Sequence, residues 1–372
     1  MIVAEASQRA QLRPMSSPTR INRRLLLASA IVLAIAAAAG CSTLGYYAQS
    51  IDGHFAMLRA ARPIPDIVAD PGTAETLRQR LQRAQEIRAF ASQELGLPEN
   101  ASYRSYADLQ RPYVVWNVFA TPELSLELKQ WCYPVVGCAG YRGYFDRDAA
   151  DRAATELRAE GYEVNVAGVP AYSTLGWFSD PLLNTFIGGT EGQLAGLVFH
   201  ELAHQVVFVG GDTTFNESFA TAVEREGVRR WLATHGNDTS RMAYVEFAQR
   251  RLEFLNLLLQ YRALLLENYQ SQQTDDPKRE RKQQLFARLK DDYARLKASW
   301  DGFAGYDRFF AQDLTNAHLA SIGAYNDLVP AFDALLVQVG GELPRFYDEV
   351  KRLAALPRER RDESLRGMLA QR

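Results

Sequence analysis

Apolar positions along the chain form one nearly continuous run near its start and periodic segments after it. The run, residues 25–40, is Leu, Ala, Ile and Val broken by Ser29 and closed by Gly40. It falls short of the roughly 20 residues that a membrane-spanning helix needs. Residues 73–95 place Leu77, Leu81, Ala84, Ile87, Ala91 and Leu95 at helical spacing, and Gly96 and Pro98 end that segment. Residues 113–119 are β-branched and aromatic, which predicts a strand. A short helix is expected over 148–160, closed by Gly161, and residues 162–166 alternate as a second strand. Residues 169–178 read as an exposed edge continuing that sheet, because Pro170 and Gly176 suit an edge and not a central ladder. A core strand followed by a loop is the alternative.

Residues 191–207 form the next strong helical pattern, and 217–232 looks like its packing partner. Two long helices follow, over 242–268 and 282–300, the second carrying Leu285, Leu289, Tyr293, Leu296 and Trp300 on one face. The polar link 270–277 joins them as an antiparallel hairpin. Further helices are expected after Pro344 and Pro357. The fold class is therefore α+β and helix-rich, with a small sheet beside the helix at 191–207 and a long C-terminal helical hairpin. Residues 41–372 are expected to form a single domain, with 100–235 as its sheet and chemical core and 240–372 as its helical part.

Composition alters this picture little. The 372 residues, 47% hydrophobic and 23% charged, suit an ordinary globular core. A net charge of −2 gives no basic field that would favour nucleic acid as a partner. Charge distribution says more. Before Cys41 five arginines (Arg9, Arg13, Arg20, Arg23, Arg24) stand against Glu5, a net +4, so the rest of the chain carries −6 of the total −2. A basic stretch, a short apolar run and small closing residues make residues 1–40 a secretory signal. Its end, Ala38-Ala39-Gly40-Cys41, resembles a bacterial lipobox, which implies a lipid on Cys41 as the first mature residue. The match departs at Ala38, where Leu is commoner, and an uncleaved N-terminal anchor is the alternative. The expected location is the bacterial cell envelope, lipid-anchored and facing the periplasm. Ser42 stands where Asp often marks inner-membrane retention, which favours the outer membrane. Outside the cytoplasm Cys132 and Cys138 most simply form a disulfide closing a small loop.

The chemistry is concentrated in His200-Glu201-Leu202-Ala203-His204. Residues four apart share a helix face, so His200 and His204 can present two imidazoles to one ion. Glu201 lies about 100° around the helix, beside the ion, where a general base belongs. A third protein ligand and an open water position are then required. Glu217, thirteen positions after His204 and beyond Gly210-Gly211-Asp212, is returned toward the first helix by that turn. An acid serving the dipole at a helix start is the alternative for Glu217. The sequence HExxH followed by Asn216-Glu217-Ser218-Phe219-Ala220 resembles the gluzincins, the zinc peptidase clan of thermolysin-like and alanyl-aminopeptidase-like enzymes. The resemblance implies one Zn2+ held by His200, His204 and Glu217, with Glu201 as base. Glu224, two turns further on, is a fallback ligand or a carboxylate that holds a histidine in the right tautomer.

A broader likeness runs through Leu44-Gly45-Tyr46-Tyr47, Ala61-Arg62-Pro63-Ile64, residues 112–119 and residues 169–178. These resemble a bacterial family whose members are named putative aminopeptidases and are typically exported lipoproteins. It implies a zinc-dependent peptidase, an aminopeptidase acting on peptide or protein substrates, attached to the membrane by its N-terminal lipid. The GxMEN segment by which alanyl-aminopeptidase-like enzymes bind a free amine is absent. Exopeptidase action thus comes from the family name alone, and an envelope endopeptidase is the alternative. A non-catalytic zinc lipoprotein working through its helical hairpin would leave Glu201 without a task. Tyr325 and His318 are the candidates for the electrophile that steadies the oxyanion, with ordinary places in a helix as the alternative for each. His54 and His235 lie in no motif and are expected at the surface. Substrate is expected to add a strand along residues 169–178.

Overall fold

The computed structural model describes residues 45–133 and 137–369, so the leader and Cys41 lie outside the described residues. The chain begins with helix α1 (45–60), strand β1 (Arg62–Pro63), helix α2 (Ile64–Ala69) and the long α3 (Glu75–Gln93). A strand-rich stretch follows: β2 (Ser105–Ala107), β3 (Val115–Thr121), β4 (Trp131–Tyr133), β5 (Gly137–Ala139) and β6 (Arg142–Tyr144). Next come α4 (Arg147–Ala159), β7 (Glu163–Val169), β8 (Leu182–Leu183), α5 (Asn184–Ile187), α6 (Glu191–Ala203) and α7 (Thr213–His235). The remainder is helical: α8 (Asp238–Gln270), α9 (Asp275–Ser299), α10 (Asp307–Phe310), α11 (Asn316–Asn326), α12 (Val329–Gln338), α13 (Leu343–Ala354) and α14 (Arg358–Leu369). With 62% helix and small sheets the class is α+β.

The main sheet has the order β6-β3-β7, antiparallel throughout. All seven residues of β3 are buried, as its run of β-branched and aromatic side chains requires of a central strand. Helices α4 and α11 pack on β3 and β7, and α11 also meets α7. A second small sheet pairs β1 with β2 antiparallel and β2 with β8 parallel. Strands β4 and β5 form a hairpin in which Cys132 faces Cys138, and a disulfide joins the two.

Several boundaries differ from the sequence expectation for local physical reasons. Within residues 169–178 the strand stops at Val169, and β7 itself forms one edge of the sheet, with β6 at the other. The hydroxyl and amide of Thr174 both donate to Asp180, while Leu175 (φ 56°) and Gly176 (φ 84°) turn left-handed. That turn takes the backbone out of an extended path, so no strand continues there. Helix α7 starts at Thr213, not at Glu217, because Asp212 caps it by accepting from the Phe215 amide. Glu217 therefore projects from the second turn and is not a dipole-capping acid. Helix α9 reaches back to Asp275, with Asp275 and Asp276 in its first turn and Pro277 where a first-turn proline is tolerated. His54 is not at the surface: it is 8% exposed, against Phe55, Tyr172 and Phe178. His235 is exposed and stacks on Trp231.

The principal core lies among α3, α6, α7, α12 and α13, and a second apolar cluster fills the α8–α9 hairpin around Leu258, Leu289 and Trp300. Helix α14 closes over the start of α7. Arg361 donates to Asp212 Oδ2 at 2.6 Å, both side chains being about 95% buried, while Asp212 Oδ1 caps α7. Helices α6 and α7 approach closely because glycines stand at their contact. A Cβ on Gly227 would come 2.6 Å from the Phe199 ring and 2.8 Å from Leu95. An alanine in mid-helix is usually favourable by about 1 kcal/mol. Here the overlap with a fixed ring outweighs that gain. Gly227→Ala is expected to destabilise the protein by about 1–3 kcal/mol, measured by urea unfolding.

Candidate metal centre

Helix α6 is started by a capping box. The Thr190 hydroxyl accepts from the Gln193 amide, and the Gln193 side chain accepts from the Thr190 amide. Thirteen residues later the helix ends with His200 and Glu201 in its last turn and His204 as its C-cap. The two imidazoles share a face, with ring centroids 4.9 Å apart and planes at 82°. The link to α7 is fastened by Asn216, whose amide group accepts from the Val209 N–H and donates to the Val209 carbonyl, each at 2.8 Å. The Gly210-Gly211 turn is thereby fixed, and Glu217 is aimed at α6.

His200, His204 and Glu217 are brought together, with one nitrogen or oxygen from each lying within 4.8 Å of the others. Glu217 Oε2 lies 3.3 Å from His200 Nε2 and 3.8 Å from His204 Nε2. Glu224, seven residues on and on the same side of α7, takes the opposite nitrogen, with Oε2 3.1 Å from His200 Nδ1. A carboxylate can only accept, so Nδ1 carries the proton and Nε2 is the atom left to face Glu217. Gly196 makes room for this contact, since a Cβ there would lie 3.2 Å from Glu224 Cγ. Arg251 of α8 donates to the other oxygen of Glu224 at 3.3 Å. Sequence spacing gave no sign of Arg251, which reaches the cluster from a different helix.

Electrostatics at the cluster follow from burial first. Burial lowers His204 to about 4, leaving a neutral imidazole whose lone pair is free to bind a cation. Burial also acts to lower His200, but hydrogen bonds and charges from Glu217 and Glu224 raise it well above 6.5. Burial works against the charge on Glu217 and Glu224, yet the His200 contacts, with Arg251 for Glu224, keep both carboxyls below their usual range. Glu201 is pushed up to about 7, by burial and then by the negative charges of Glu217, Asp180 and Glu224, against the pull of His200. Three carboxylates thus crowd two imidazoles, and the position between both Nε2 atoms and Glu217 favours positive charge. Two imidazoles and a carboxylate are a suitable donor set for a divalent ion. The group can hold a metal ion, and the His200–Glu224 hydrogen bond is the outer support such a site uses.

Two further groups beside Glu201 carry no sequence motif. Tyr103 is 1% exposed, in a left-handed conformation (φ 65°), and its amide donates to the Asp180 carbonyl. Its hydroxyl is buried with no hydrogen-bond partner among the described residues. Burial and then the charges of Glu201 and Asp180 push that hydroxyl well up. Asp180, held by Thr174, is pushed up to about 6 by its burial. The neighbouring Asn100 and Ser102 side chains donate to, or accept from, Gln205, which follows the end of α6.

His318, expected beside the ion, has its described partners elsewhere. His318 is 4% exposed and completes the capping box of α11, its Nδ1 shared by the Thr315 amide and hydroxyl. Its remaining neighbours, Phe309 and the charge of Arg158, are not members of the His200 cluster. Tyr325 is on α11, and its side chain lies outside what is described.

The family described as "Putative aminopeptidase" matches residues 45–365, and the chain belongs to that family. Its name supports a peptidase. No curated protein and no solved structure matches the chain.

In the metal-free protein Glu201 holds its proton more tightly folded than unfolded. Stability is therefore lost as pH rises from about 4.5 through about 7. Metal-stripped Glu201→Gln is expected to exceed wild type by about 1–3 kcal/mol at pH 8. The gap should close at pH 4, as read by denaturant unfolding at the two pH values.

Proposed function

We propose, on the premise of that family membership, that the chain is a zinc-dependent peptidase of gluzincin type acting as an aminopeptidase in the cell envelope. The observation that carries this reading is the convergence of His200, His204 and Glu217 with a raised carboxyl, Glu201, immediately beside them. Two imidazoles and one carboxylate suit zinc, which accepts nitrogen and oxygen donors in a four-coordinate site with one position open. Zinc held there supplies Lewis acidity, polarising a peptide carbonyl and making water acidic near neutral pH.

The chain's own residues do the rest. Glu201, pushed up to about 7, is matched to a proton that must be taken and returned near neutral pH. It accepts a proton from the attacking water and delivers it to the departing amine. Glu224 and Arg251 hold the ring of His200 in one tautomer and one orientation, so that Nε2 stays aimed at Glu217. A purely structural ion would not need a buried, elevated carboxyl within the last turn of the ligand helix. Attachment through a lipid on Cys41, with the body facing the periplasm and the outer membrane favoured, belongs to the same reading.

The test combines metal analysis with digestion of peptides bearing free or blocked amino termini. Wild type is expected to hold one zinc per chain and to remove residues from free ends only. Glu201→Gln should keep its zinc and lose about 100-fold or more in rate. A wild type without zinc, or a Glu201→Gln protein as fast as wild type, overturns the reading, and cleavage of blocked peptides replaces exopeptidase with endopeptidase action. Glu224→Gln should weaken zinc affinity by about 10- to 100-fold without removing a direct ligand, measured by competition with a chelator.

A further inference from the structure

Helix α1 is apolar on both of its faces. Its inner face is fixed: a Cβ on Gly53 would meet the Phe145 ring at 2.3 Å, Met57 and His54 are buried, and the Gln49 side chain accepts from the Phe145 amide. Its outer face carries Ile51 at 57% exposure and Phe55 at 44%, one turn apart. The outward face of a docked helix in water is normally polar.

The 174–180 turn extends this surface. Phe178, 46% exposed, lies 6.3 Å from Phe55 and 4.7 Å from His54 between ring centroids. Trp177 beside it is 79% exposed. The turn that carries it is held by hydrogen bonds from Trp177 N to the Thr174 carbonyl, from Phe178 N to the Thr174 hydroxyl, and from Thr174 to Asp180. A fixed turn that presents a tryptophan and a phenylalanine outward beside Ile51 and Phe55 is a built apolar surface and not a frayed loop.

From this placement we infer that Ile51, Phe55, Trp177 and Phe178 form a patch that rests in the interface of a phospholipid membrane. The inference rests on the anchored reading given above. Ile51 follows Cys41 by ten residues, a span of at most about 35 Å even fully extended, and the apolar run 25–40 precedes that cysteine. Tryptophan and phenylalanine are the side chains that settle at the lipid–water boundary. Arg59, one turn beyond Phe55 and 67% exposed, puts a guanidinium at the rim where phosphate headgroups would lie, with Asp52 at 3.7 Å. Gly176 of the same turn lies against Gln205, four residues past Glu201 and just beyond the end of α6. The patch therefore borders the catalytic face, and substrates held at the membrane surface are the ones it brings close.

The full-length protein, purified with its own anchor, is mixed with phosphatidylethanolamine–phosphatidylglycerol vesicles whose acyl chains carry bromine, which quenches nearby tryptophan. Trp116, Trp231 and Trp300 are buried and Trp131 is half-buried, so Trp177, the most exposed of the five, should dominate the lipid-dependent signal. Expected is quenching on brominated against plain vesicles that Trp177→Phe removes. The pair Ile51→Ser with Phe55→Ser should reduce it at least twofold while flotation with the vesicles persists. Protein that floats with equal emission on both lipids overturns the patch and leaves the anchor standing. A chain that does not float overturns both. A Trp177 signal that follows protein concentration instead of lipid assigns the patch to a second copy and overturns the lipid assignment.

Discussion

The structure turns on the burial of five ionisable side chains at one helix seam. Glu201, Glu217 and Glu224 meet His200 and His204 where α6 and α7 touch, and burial is the first influence on every one of them. Charges removed from water are strongly unfavourable unless paired and hydrogen-bonded. The fold answers with small residues and long polar reach. Gly196 and Gly227 let the helices close, Asn216 locks the connecting turn, and Arg251 crosses from α8 to share Glu224. Two Nε2 atoms and a carboxylate oxygen converge there, a donor set that suits a divalent cation.

The parts of this centre that obey a local period were readable beforehand. His200 and His204 share a face because four residues make about one turn, and Glu217 returns because a Gly-Gly turn reverses the chain. What escaped notice depends on packing between distant segments. Tyr103 and Asp180 come from loops whose course is set by Thr174 and by Arg88, a buried side chain that binds the carbonyls of Pro98, Asn100 and Ser102. Arg251 stands on a long amphipathic helix where one more arginine looks like solvated surface. The short strands β2 and β8 hold three and two residues, too few for a period to show.

The same distinction explains the stretch after Val169. Its composition suits a strand edge, but two hydrogen bonds from Thr174 to Asp180 and a left-handed Leu175-Gly176 pair bend it into a turn. Gly176 is thus a turn residue, Pro170 stands at the bend where β7 ends, and β7 itself supplies one edge of the sheet. His318 makes the converse point, since a histidine near a helix start looks chemical in isolation but serves here as a cap. Its Nδ1 is committed to Thr315, which gives it a structural task.

Asp212 serves two segments that are made at different times. It caps the helix bearing Glu217 and Glu224, and it pairs with Arg361, 149 residues further along. A growing chain has His200, His204 and Glu217 long before it has α14. Until then Asp212 keeps its water, and the first turn of α7 lacks the cover that fixes it. The helix pair that carries the cluster is in this sense finished by a segment far along the polypeptide.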